Sequence, residues 1–188
     1  VILLSDKKYY VDAENGDDGW SGGEDAAWKT LAHAVEAAAE GDTIVLKRGT
    51  HPLASDLAIG KILTICGEGA ADETTIDDNL KGHAIVVSAA RFCLSGVTLS
   101  RLSADRAVKL VAGSVLTNCI VTGYSRAFDG APVRATDALV TCCTFSNNTA
   151  VAVAGVEARG KSIVENCVFR NNRTTGGTNN GAGVVMLW

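Results

Sequence analysis

Three near-copies of one ten-residue phrase constrain what this chain can fold into: 114–123 (SVLTNCIVTG), 138–147 (ALVTCCTFSN) and 162–171 (SIVENCVFRN). Cys119, Cys143 and Cys167 hold the same place in each, at a constant spacing of 24 residues. A period in that range is the mark of a solenoid, in which each repeat is one coil that buries its apolar side only against its neighbours.

Aligning the phrases yields the core. Leu94, Leu116, Val140 and Val164 form one column, Val97, Cys119, Cys143 and Cys167 a second, and Leu99, Val121, Phe145 and Phe169 a third. The second and third columns lie two residues apart, the spacing that puts both side chains on one face of a strand. Thr98, Thr117, Thr122, Thr144, Ser146 and Arg170 are expected to face out, with Ile120 and Val168 as apolar exceptions. Gly123, Asn147 and Asn171 share the column after the third stack. Gly and Asn accept a left-handed backbone most readily, so a sharp corner belongs there. Asn118 and Asn166 suggest an amide ladder interrupted by Cys142.

A second strand per coil falls upstream, at 85–87, 108–110, 133–135, 156–158 and 184–186. Its outward residues are Val86, Lys109, Arg134, Glu157 and Val185. Composition agrees with narrow coils: 47% of residues are hydrophobic but only 5% aromatic, with 20 glycines and 2 prolines. The six cysteines match no zinc spacing, and stacked free thiols acting as small hydrophobes are the expected arrangement.

Ahead of the repeats, 7–12 (KKYYVD) reads as a strand and 15–23 (NGDDGWSGG) as a polar loop. Its Asp12, Glu14, Asp17 and Asp18 invite a calcium reading. Aligned as an EF-hand loop, however, Val11 falls where the first Asp belongs, so a solvated loop is expected. Leu31, Ala34, Val35 and Ala38 recur at helical spacing and predict a helix that starts between residues 25 and 30 and ends near Glu40, with Gly41 as its stop. This helix would lid the open end of the first coil, and His33 falls on its polar side. Strands are expected at 43–46, 62–65 and 75–77, with a turn at 49–51.

The segments YVDAENGDDG (10–19), WKTLAHAVEAA (28–38), GDTIVLKRGT (41–50), LTICGEG (63–69) and TID (75–77), followed by N-C-x-[FV]-x-x-N coils, resemble the pectin-lyase-like family of right-handed parallel β-helices. The resemblance implies an all-β solenoid of one domain over residues 1–188: an N-terminal strand and loop (1–24), a capping helix (25–41) and about five coils (42–188), the last incomplete. It also implies an extracellular or cell-surface location. The family includes polysaccharide lyases and hydrolases, epimerases, tailspikes, adhesins and structural surface proteins.

For a lyase, the resemblance implies Lys or Arg on an exposed strand face, often with calcium, so Lys109 and Arg134 are the candidate catalytic residues, with Asp77 and Asp78 as nearby carboxylates. A solvated charge ladder closed by Glu157 is the simpler account of the same residues. Inverting hydrolysis needs paired carboxylates about 6.5–9.5 Å apart, and the repeated strands carry no adjacent-coil Asp pair. Tyr124 and Trp188 are too few to line a sugar-binding face. The chain starts at Val1, which implies an upstream segment.

Apolar residues at both ends, Val1, Ile2, Leu3 and Leu4 at one and Val184, Val185, Met186, Leu187 and Trp188 at the other, suggest edges that copies of the chain cover head to tail. The expected role is therefore a non-catalytic structural or adhesive protein assembling into a fibre, with the N-terminal portion of a polysaccharide lyase as the alternative. Polysaccharide is the alternative partner to self. A net charge of −4 without a basic run argues against nucleic acid. No apolar run reaches the ~20 residues of a membrane span. Neither a metal site nor a cofactor is expected; calcium is the one ion the resemblance admits.

Overall fold

A computed structural model describes residues 5–128, 130–176 and 182–187, with the backbone alone for 185–187. The 24-residue repeat becomes a parallel β-helix of three long sheets. The first runs through Lys8–Val11, Thr43–Leu46, Thr64–Gly67, Cys93–Ser95, Val115–Thr117, Leu139–Thr141 and Ile163–Glu165. The second stacks Gly49–Pro52, Thr74–Asp77, Thr98–Ser100, Ile120–Thr122, Thr144–Ser146 and Val168–Arg170. The third stacks Leu57–Ile59, Ile85–Val87, Arg106–Leu110, Ala131–Thr136, Val156–Arg159 and Val184–Leu187. All the long-sheet pairings are parallel, and the stack makes about five turns.

The alignment columns are the ladder register. Leu94 pairs with Leu116, Leu116 with Val140, and Val140 with Val164. Leu99, Val121, Phe145 and Phe169 follow suit, and the Phe145 and Phe169 rings stack 4.9 Å apart. Leu94, Leu116, Val140, Leu99, Val121 and Phe145 are buried.

The cysteine column differs from expectation in one respect. Cys119 and Cys143 are buried free thiols, but they do not share a straight strand with the third column. Gly96, Asn118, Cys142 and Asn166, one residue earlier, have φ of 64°, 51°, 55° and 53°, so the chain turns a left-handed corner there between the first and second sheets. Asn118 and Asn166 are exposed corner residues rather than ladder members. The corner expected at Gly123, Asn147 and Asn171 is present, with φ of 68°, 56° and 55°.

The amide ladder lies one residue beyond that corner. Asn148 is fully buried; its Oδ1 accepts from Tyr124 N at 2.9 Å and its Nδ2 donates to Val121 O at 3.0 Å. Asn172 repeats the device one coil on, accepting from Asn148 N at 3.1 Å and donating to Phe145 O at 3.0 Å. Each side chain satisfies backbone groups that the corner removes from the sheets.

The helix is shorter than its pattern suggests, Leu31–Ala37. Asp18 sets its start by accepting from Lys29 N and Thr30 N, both at 2.8 Å, and the Thr30 hydroxyl caps His33 N. Its end is set by Lys61, whose Nζ donates to Val35 O, Glu36 O and Ala38 O, groups the last turn leaves unpaired. Leu31, Ala34 and Val35 cover the first coil as the apolar stripe implies, and Trp28 stacks on Tyr9 at 4.6 Å. Residues 49–51, expected to turn, belong to the strand Gly49–Pro52, and Leu57–Ile59 is a strand the pattern did not reveal. Thr98 and Ser146, expected to face out, are buried, and Thr98 Oγ1 donates to Ala71 O at 2.8 Å.

Of the apolar residues assigned to assembly, Val1, Ile2, Leu3, Leu4 and Trp188 lie outside the described residues. The strand Val184–Leu187 is paired with Val156–Arg159. No helix among the described residues is long and apolar enough to cross a membrane.

Candidate functional site on the third sheet

The third sheet brings the expected charged column together. Val86 pairs with Lys109, Lys109 with Arg134, Arg134 with Glu157 and Glu157 with Val185. Neighbouring rungs of such a column are about 4.8 Å apart, so their side chains form a row across the coils.

The row is not a solvated ladder. The Glu157 side chain is only 3% exposed and is enclosed by three arginines. Its Oε2 accepts from Arg106 Nε at 2.9 Å and Arg134 Nε at 3.2 Å, and its Oε1 from Arg134 Nη2 at 3.1 Å and Arg159 Nε at 2.8 Å. Burial alone would raise the Glu157 carboxyl, but the hydrogen bonds from Arg134, Arg106 and Arg159 hold it below the usual glutamate value. Asp105 pairs with Arg106. Among the described residues the cations Arg106, Lys109, Arg134 and Arg159 thus gather around Glu157 and Asp105 on a chain whose overall charge is −4. Among the described residues Lys109 forms no ion pair, while Arg134 is committed to Glu157. Phe128, 73% exposed, stands on the loop that leads into Ala131–Thr136.

Asp77 and Asp78 do not join this row as free carboxylates. Asp77 is clamped by Arg101, which also donates to Asn79 Oδ1 at 2.8 Å. Asp78 is wholly buried and accepts from Gly82 N at 2.8 Å and His83 N at 3.0 Å. Tyr124, considered for an outward face, is 1% exposed and donates its hydroxyl to Ala104 O at 3.0 Å.

Among the described residues the row offers calcium no free carboxylate. Both Glu157 oxygens already accept from arginines and Asp105 is paired, so the face offers a cation repulsion rather than ligands. In the N-terminal loop, Asp12 accepts from Glu14 N and Asn15 N, and Asp18 is spent on the helix start. Among the described residues no group of three His, Cys, Asp or Glu side chains is placed to share a metal.

Sequence reasoning found Lys109, Arg134 and Glu157 but missed Arg106 and Arg159. They lie off the outward column and reach Glu157 through long side chains. It also missed the Asn148 and Asn172 ladder, although the 24-residue spacing of these two carries the signal.

The stacked parallel sheets and the capping helix define a parallel β-helix of the pectin-lyase-like fold. No known family profile matches the chain, and neither does any curated protein. Among solved structures, a rhamnogalacturonan lyase superposes with a TM-score of 0.58 at 14% sequence identity, over 94% of this chain and 60% of that one. The chain therefore spans about three fifths of the length of that lyase.

Proposed function

We propose that this chain is part of an extracellular carbohydrate-active protein whose third sheet binds an acidic polysaccharide, with uronate elimination as its reaction. The observation that carries the reading is the cation row: Lys109 forms no ion pair among the described residues and pairs in register with Arg134, beside the arginines gathered on Glu157. Repeating carboxylates along an extended polymer match a row of cations at strand spacing. Phe128 adds an exposed ring against which a sugar's apolar face can pack. The fold shared with a rhamnogalacturonan lyase supports the same class of ligand.

In elimination, a cation beside the uronate carboxylate stabilises the charge that develops when the neighbouring C–H proton leaves. Lys109 serves that role, and Arg134 with its partners positions the polymer. Because the row does not accommodate calcium, the reaction is expected to be indifferent to chelator. The test is release of unsaturated oligosaccharides from a panel of uronate polymers, with calcium and with chelator, alongside binding of the same polymers. Binding confined to acidic polymers supports the reading; equal indifference to acidic and neutral polymers removes it.

A second reading has its own observation. At the far end of the stack the inward residues Val164, Cys167 and Phe169 are only partly buried, whereas Val140, Cys143 and Phe145 in the same columns one coil earlier are fully buried. Copies of the chain stacking on this edge would cover it, consistent with a fibre. Sedimentation across a wide concentration range tests this, and a species that stays monomeric throughout refutes it.

A further inference from the structure

We propose that Cys119, Cys143 and Cys167 form a binding site for a soft, two-coordinate cation of the Cu(I) class, held between successive thiols of the core ladder. The site is separate from the cation row and does not depend on the polysaccharide reading.

The ladder is regular at the level of its sulfur atoms. Each Sγ lies 3.2 Å from the carbonyl oxygen two residues before it, on Thr117, Thr141 and Glu165. Each also faces a carbonyl oxygen one coil earlier, at 3.7 Å on Leu94, 3.6 Å on Leu116 and 3.7 Å on Val140. Leu94, Leu116 and Val140 are themselves register partners. The three sulfurs therefore occupy equivalent places in successive coils, and neighbouring sulfurs are separated by one rung of about 4.8 Å.

That spacing selects a coordination geometry. A metal–thiolate bond is about 2.3 Å long, so two such bonds in a straight line span about 4.6 Å, close to one rung. At a tetrahedral angle the same bonds would bring the sulfurs to about 3.8 Å and call for two more ligands. Among the described residues no group of three His, Cys, Asp or Glu side chains is placed to share an ion. The ladder thus works against zinc and suits a soft cation satisfied by two thiolates.

The ladder's own hydrogen bonds prepare the sulfurs for that role. The bond between Cys119 and Cys143 lowers the Cys119 thiol and, together with burial, raises that of Cys143. Burial raises Cys167 as well. Working against burial, the backbone N–H groups of Val97, Cys119 and Cys143 each donate to the sulfur one coil on, which favours the thiolate. Binding breaks two S–H bonds: each sulfur gives an electron pair to the cation, both protons pass to solvent, and no oxidation state changes. Cys119 borders a groove of about 520 Å³ that Asn118 and Cys142 also line, and Cys167 is half-buried, so the ladder adjoins the surface at both ends.

The remaining thiols are the competitors. Cys142 is exposed, and the half-buried Cys66 and Cys93 sit on neighbouring strands but pair with Ser95 and Thr64 rather than with each other.

The experiment titrates Cu(I), kept reduced with ascorbate, into the full chain against a chromogenic Cu(I) chelator. It compares wild type, Cys143→Val, Cys142→Ser and the double variant Cys119→Val with Cys167→Val, with melting curves to confirm folding. Valine already fills this column at Val97, which is buried. Cys143 belongs to both pairs of neighbours, so Cys143→Val is expected to lose the chelator-resistant Cu(I), and the double variant to lose it too. Cys142→Ser is expected to retain it, excess Zn(II) not to displace it, and X-ray absorption of the loaded wild type to show two sulfur neighbours. A wild type that holds no Cu(I), retention in both ladder variants, loss in Cys142→Ser, or three or more sulfur neighbours overturns the proposal. Should Cys143→Val fail to fold, the double variant and the sulfur count decide in its place.

Discussion

Replacing Glu157 with glutamine takes the negative charge out of a carboxylate whose side chain is 3% exposed and which accepts hydrogen bonds from Arg106, Arg134 and Arg159. Losing one member of a buried ion cluster costs ~3–5 kcal/mol, because the remaining charges are left without a partner. Water recovers part of that loss, since the Arg134 and Arg159 side chains are 26% and 43% exposed, which brings the expected cost to about 2–3 kcal/mol. For a chain of this size that is a fall in Tm of roughly 4–12 °C. The pH dependence has a defined sign. The arginines outweigh burial and hold the Glu157 carboxyl below its usual value, so its stabilisation is complete above the ordinary glutamate range and disappears as pH falls through the lowered value. Thermal melts of wild type and Glu157→Gln should therefore differ at neutral pH and converge in strong acid. The reasoning is refuted by a neutral-pH difference under about 0.5 kcal/mol, or by one that widens as pH falls. The same variant takes the carboxylate partner from Arg134 and Arg159, so acidic-polymer affinity should rise while stability drops.

Asn148→Ala should cost about 2–4 kcal/mol in denaturant unfolding, because Tyr124 N and Val121 O would be buried without partners. Cys142→Asn should stabilise by about 0.5–1 kcal/mol, since Cys142 is exposed at φ 55° and asparagine tolerates that backbone better. Thiol labelling of the folded protein should modify Cys142 first. Cys143 should resist, being buried and raised by its hydrogen bond with Cys119 and by burial.

Leu94, Val121 and Phe145 could be placed from the sequence because a solenoid repeats its core at constant spacing, so one column fixes the next. Cys142 was misread for a related reason: exposed corner positions are selected by backbone angle, which Gly96, Asn118, Cys142 and Asn166 satisfy with three residue types. Leu57–Ile59 escaped notice because the first coil departs from the later repeat. At the site, Lys109, Arg134 and Glu157 share a column and were legible. Arg106 and Arg159 reach Glu157 from off that column, and Asp78 gathers Gly82 N and His83 N only because the loop after Thr74–Asp77 folds back on itself. Neither arrangement has a periodic signature.

The central claim, that the third sheet is an acidic-polysaccharide face, is tested most directly by titrating polygalacturonate against wild type, Lys109→Glu and Arg170→Glu. Arg170 is an exposed cation on the second sheet and controls for net charge. Binding that weakens sharply for Lys109→Glu, changes little for Arg170→Glu and declines with salt is the expected result. Equal losses for the two variants, or binding that neither disturbs, would contradict it.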